Sequence, residues 1–242
     1  QQLQLGIQII EETRTPLRDE ALKISWLGRW QQLYEAMVLL LLEQGEVAQA
    51  LNYVERARAR AFLDLLAASD VADQTVDEEP LTAAAIQANL SPQTALIEFF
   101  ATGLPGASET LLANLPPEAQ HLRPYLLPPE RLWAFVVTRS ALQVAPLAIS
   151  MSQLRAQHFQ RSDGRLRGVT PLPGQPLHSQ RRWQDLARTL LLPLQPYLAG
   201  ARHLYFVPHD ALHYVPFHAL MNIDQLTGVT PTTTSYAPSA SI

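Results

Sequence analysis

At 242 residues, 47% hydrophobic and 17% charged, the chain has the composition of an ordinary globular protein, with length for one large domain or two modest ones. It contains no cysteine, which excludes disulfides, zinc fingers and thiolate catalysis by these residues. The apolar run Ala36 to Leu42 falls far short of the roughly 18–20 residues that span a bilayer, and no targeting peptide is recognisable at the start. The net charge of −4 is unevenly spread: residues 1–120 hold 7 basic and 17 acidic side chains, residues 121–242 hold 11 and 5, a bias that two solvated faces account for.

In chain order, Leu3 to Glu12 reads as the remnant of a helix, and residues 17–68 as the clearest helical region. Leu17 to Glu43 has no internal proline. Gly45 then sits where a helix C-terminal cap belongs, and Val47 to Leu66 follows as a second helix with Leu51, Val54 and Leu65 on one apolar face. The two helices predict a hairpin. Arg56, Arg58 and Arg60 beside Glu55 and Asp64 fit a solvated, salt-bridged face better than a nucleic-acid surface, since aromatic interleaving and net positive charge are lacking. Asp70 to Pro80 is acidic and poor in large apolar residues, the composition of a linker. The expected division is a helical region at 1–69, a linker at 70–80 and an α/β domain at 81–242.

Leu81 to Asn89 predicts a short helix and Thr94 to Phe100 a strongly apolar strand carrying one charge, Glu98. Residues 103–131 hold prolines 105, 116, 117, 124, 128 and 129 and read as a surface insertion. Trp133 to Thr138 and Leu142 to Val144 predict a β-hairpin across Arg139-Ser140. Residues 146–160 predict a helix starting near Leu147, Arg161 to Pro176 a mobile loop, and Gln180 to Leu198 an amphipathic helix that Pro193 and Pro196 kink or end early. Leu204 to Val207 is a short run of β-formers between Gly200 and Pro208, the pattern of a buried strand. Pro208-His209-Asp210 follows as a turn, and Pro216 forbids an unbroken helix among the anchors Leu212, Val215, Phe217 and Leu220.

Three constellations invite chemistry. His209, Asp210 and His213 are metal-ligand types, but flanking prolines deny them the helical i, i+4 spacing zinc favours, so a turn-and-packing role is expected, with His213 and His218 as packing or hydrogen-bonding residues. Ser239 and Ser241 beside several histidines suggest a serine hydrolase, yet no Gly-x-Ser-x-Gly elbow is present. Glu98 reads either as a buried carboxylate with a raised pKa or, by preference, as a residue on a sheet edge or paired with an arginine. Phosphate-binding glycine loops are absent. No catalytic, cofactor-binding or metal residue is therefore assigned, and no cofactor is expected.

The stretch from Leu204 to Leu220 resembles the CHAT domain, a caspase-like peptidase domain associated with tetratricopeptide (TPR) repeats. Its pattern Pro-x-x-x-Leu-x-x-x-Pro-Phe-x-x-Leu is met by Pro208, Leu212, Pro216, Phe217 and Leu220, and Ser235 to Ile242 is similar to the family's next strand with its Ala-Pro-Ser end. The helical hairpin resembles a degenerate TPR unit through Tyr34, Val38, Leu41, Ala50, Val54 and Ala57, with Phe62 in place of the usual proline. The resemblance implies a TPR-like hairpin followed by part of an α/β caspase-like domain, with catalytic His and Cys downstream of Ile242. It also implies protein or peptide partners for the repeats, a cytoplasmic location, and neither nucleic acid nor membrane as partner. A sheet cut after its early strands is expected to expose an apolar edge. The alternative is a non-catalytic scaffold or inactive homologue.

Overall fold

The computed structural model describes residues 2–14, 20–67, 80–103, 116–118, 128–162, 165–167, 176–221 and 233–240. The chain divides into two compact units: residues 1–84 with 102–129, and residues 85–101 with 130–240; residues 241 and 242 fall outside the described set.

In the first unit, helices α1 (Gln2–Arg14), α2 (Glu20–Glu43) and α3 (Val47–Ala67) pack in succession. The α2–α3 turn forms as the glycine predicts. Gly45 has φ +77°, its N–H bonds the Leu42 carbonyl and the Glu46 N–H bonds the Leu41 carbonyl, the paired bonds of a Schellman cap. Ile7 and Ile10 of α1, Tyr34, Met37, Val38 and Leu41 of α2, and Ala50, Leu51 and Val54 of α3 are buried. A polar seam ties α1 to its neighbours: Glu11 accepts from the Tyr34 hydroxyl at 2.9 Å and from Arg56 at 2.6 Å, with the Arg56 guanidinium 5.0 Å from the centre of the Tyr53 ring. Arg56 thus serves an intramolecular ion pair. Deeper in, Glu35 is 3% exposed, and its carboxyl accepts from the Gly103 N–H at 2.8 Å and the Gln31 amide at 3.0 Å.

The second unit is built on a mixed five-stranded sheet in the order β3-β2-β1-β6-β7: β1 (Thr94–Thr102), β2 (Arg131–Thr138), β3 (Leu142–Leu147), β6 (His203–Val207) and β7 (Thr233–Tyr236). The short helix expected before β1 forms as α4 (Ala83–Asn89), β2 and β3 form the expected antiparallel hairpin, and β6 runs parallel to both β1 and β7. β1 is buried at every position, the pattern of a strand covered on both faces. Ala95, Ile97 and Phe99 share a face with Leu204 and Phe206, and Phe217 closes over them. Its ring centre lies 4.4 Å from Phe206 and 5.1 Å from Phe99 in near-parallel stacks.

Four expectations change. β3 runs through Pro146 to Leu147, where proline is tolerated because β3 is an edge strand, so the helix predicted from Leu147 begins only at Met151 (α5, Met151–His158). The stretch predicted as a loop from Arg161 contains a two-stranded ribbon, β4 (Gln160–Ser162) with β5 (Arg165–Arg167). The amphipathic helix α6 starts at Pro176, ahead of the expected Gln180, and ends early as its prolines predict, at Leu190, giving way to a 3-10 turn over Leu192–Tyr197 that carries both prolines. The edge strand β7 is Thr-Thr-Ser-Tyr, a polar rather than apolar edge. The predicted linker 70–80, except Pro80, and most of the 103–131 insertion lie outside the described residues. Among the described residues no helix is long and apolar enough to cross a membrane.

Candidate functional site

The sheet order places β1 between β2, its successor in sequence, and β6, a strand reached only after a long excursion. In open α/β sheets such a point, at the carboxyl ends of the parallel strands, is where ligands are held. The turn after β6 lies there. Pro208 is buried and closes the strand, and His209 folds back so that its Nδ1 accepts the Ala101 N–H at 2.8 Å, beside the Phe100 ring at 5.6 Å. An accepting Nδ1 means that the neutral imidazole carries its proton on Nε2. The backbone then turns left: Asp210 has φ +52°, the sole positive φ of a non-glycine residue among the described residues. Both Asp210 carboxylate oxygens accept from Nη2 of Arg155 on α5 at 2.5 Å, a pair only about a quarter exposed on either side. A 3-10 turn over Asp210–Tyr214 buries Ala211 and Leu212, and after Pro216 a one-turn helix α7 (Phe217–Met221) buries Phe217, Leu220 and Met221.

α5 is positioned by a capping box. The Gln153 N–H donates to the Ser150 hydroxyl at 3.3 Å, and the Ser150 N–H donates to the Gln153 side chain at 2.9 Å. Ser150→Ala is expected to cost about 1 kcal/mol, read as a lower urea midpoint at unchanged slope.

The residues singled out in the sequence fare differently. The pattern residues Pro208, Leu212, Phe217 and Leu220 are buried anchors, and Pro216 is half-buried. His209 has the hydrogen-bonding turn role expected of it. His213 and His218 are exposed, on the outer side of the 3-10 turn and of α7, and of the packing or hydrogen-bonding role expected of them His218 has the second, with its Nδ1 3.2 Å from the Tyr236 hydroxyl. Glu98 is not on an edge. It is fully buried in the central strand, in register with Val207. Ser239 is fully buried, which denies it the access a nucleophile needs, and Ser241 lies outside the described residues. Among the described residues no group of three His, Cys, Asp or Glu side chains is placed to hold a metal ion. Sequence reasoning missed Arg155, whose partner is 55 residues away; an isolated arginine on a short helix carries no local signal.

At the opposite end of the sheet lies an open groove of about 410 Å³, lined by Gln93, Thr138, Gln143 and Tyr197 among others. Its lining holds no Asp, Glu, His, Lys, Arg or Cys side chain, whereas His209, Asp210 and Arg155 gather at the carboxyl end.

Residues 180–242 match the family model of the CHAT domain, a segment that runs from within α6 through β6, the His209-Asp210 turn, α7 and β7. The resemblance carried by residues 204–220 and 235–242 falls within that match. No curated protein and no solved structure matches the chain.

Proposed function

We propose that this chain is the N-terminal part of a TPR–CHAT cysteine peptidase of caspase-like fold, with the catalytic His and Cys supplied by sequence downstream of Ile242. The observation that carries the reading is the family-matched turn, seated by His209 on the carboxyl end of central strand β1, where a parallel sheet holds ligands. In this reading the downstream thiolate attacks a peptide carbonyl and forms a thioester. The downstream His gives its proton to the departing amine, and water then releases the acyl group and restores the thiol. The residues present here build the sheet and the turn that flank the cleavage groove. None of them takes part in the bond exchange. The α2–α3 hairpin is a TPR-like module that binds protein or peptide partners, supported by the buried Tyr34, Val38, Leu41, Ala50 and Val54 that make it a close-packed helix pair. The same proposal sets the protein in the cytoplasm and gives it no cofactor.

The test uses the natural full-length gene product and a peptidyl acyloxymethyl ketone, which alkylates a peptidase cysteine. The expected result is stoichiometric labelling of one cysteine beyond position 242, lost when that cysteine is changed to alanine. Absence of both labelling and peptide cleavage supports the scaffold reading instead.

A further inference from the structure

Asp210 adopts a backbone conformation that glycine takes freely and other residues resist, although aspartate and asparagine resist least. Such a conformation persists only where the surroundings over-determine it. What over-determines it here is a charge-assisted contact from another element, Arg155 Nη2 on both carboxylate oxygens. The neighbouring residue in the turn, His209, takes the Ala101 N–H of the central strand. We infer that Arg155 is a positioning residue: acting through Asp210, it clamps the left-handed turn that seats the His209 imidazole on the carboxyl end of β1. Arg155 lies outside the segment that matches the family model, so helix α5 governs the geometry of the matched turn.

The clamp stands on the geometry of this unit alone. Its bearing on peptide binding rests on the peptidase reading, so the two fail separately. In a peptidase groove, a fixed imidazole tautomer and a fixed turn present a constant wall to an incoming peptide. A turn released from Arg155 would present a variable one.

The test follows the Ala101 amide by hydrogen exchange, and the His209 ring by nitrogen chemical shifts, in the whole chain. Arg155→Met is expected to speed Ala101 exchange about tenfold, the worth of one hydrogen bond, and to mix the two His209 tautomers. Arg155→Lys is expected to restore part of the protection, since an ammonium keeps the attraction but not the guanidinium geometry. The decisive variant is Arg155→Met with Asp210→Gly. Glycine holds a positive φ without help, so Arg155 becomes dispensable and protection of Ala101 returns. Should Arg155→Met fail to fold, Arg155→Lys decides, with Ala101 exchange faster than in the wild type expected and unchanged exchange overturning the inference. Unchanged Ala101 exchange in Arg155→Met, or loss of protection that glycine does not rescue, overturns the inference.

Discussion

Replacing Glu35 by glutamine is expected to stabilise the protein by about 3 kcal/mol above neutral pH and to leave it unchanged in acid. Glu35 is buried on α2, and burial pushes its carboxyl from the ordinary 4.5 up to about 7; the Gly103 N–H and the Gln31 amide pull the other way without offsetting it. The folded chain therefore holds this proton more tightly than the unfolded chain does. Between 4.5 and about 7 the native state binds more protons, so stability falls as pH rises through that window. The protonated carboxyl's advantage is fully present below 4.5 and is lost once pH passes about 7. At 1.36 kcal/mol per unit, that shift makes the ionised carboxylate a burden of about 3 kcal/mol. Glutamine never ionises and keeps an oxygen for the Gly103 N–H. Urea unfolding of both proteins from about pH 4 to about pH 8 checks this. Other groups titrate equally in the two, so the difference between the curves isolates Glu35. Curves that stay parallel across the range would contradict the assignment.

Phe217→Ala is expected to have the largest effect of any single change in the sheet unit. Its side chain is wholly buried, stacked 4.4 Å from Phe206 and 5.1 Å from Phe99, themselves wholly buried, and it joins α7 to the two parallel strands. Truncating a buried phenylalanine costs about 3 to 5 kcal/mol, made up of lost transfer energy and the cavity left behind. That is a large share of the roughly 5 to 15 kcal/mol that holds a domain folded. Phe217→Leu, which keeps most of the volume, is expected to cost under about 1.5 kcal/mol. Urea midpoints of the three proteins, at constant slope, give the comparison. An alanine variant within about 1 kcal/mol of wild type would mean that Phe217 is not the core contact described.

The elements that were legible in the sequence are those whose signals are local. Uninterrupted helix formers on either side of Gly45 give α2 and α3, because a glycine at positive φ ends one helix and frees the next. β-formers bounded by Gly200 and Pro208 give β6, and the pattern of prolines and apolar anchors after it gives the family. Helix α5 was misplaced because Pro146 looks like a helix start, whereas an edge strand accommodates it; the true start is the Ser150 and Gln153 capping box. Of the readings of Glu98 only the edge position fails, because a charge in an apolar run suggests an edge and strand order alone reveals that β1 is central. The two polar contacts that give the molecule its character lie furthest from view. Glu35 meets Gly103 across 68 residues and Arg155 meets Asp210 across 55, separations at which composition and periodicity say nothing.

The proposal that this chain is the front part of a CHAT-type cysteine peptidase is decided by reading the encoding gene beyond the Ile242 codon. An open frame is expected, in which a His and then a Cys each follow an apolar strand-forming run. A frame that ends without that pair would contradict it and leave the fold as a binding scaffold.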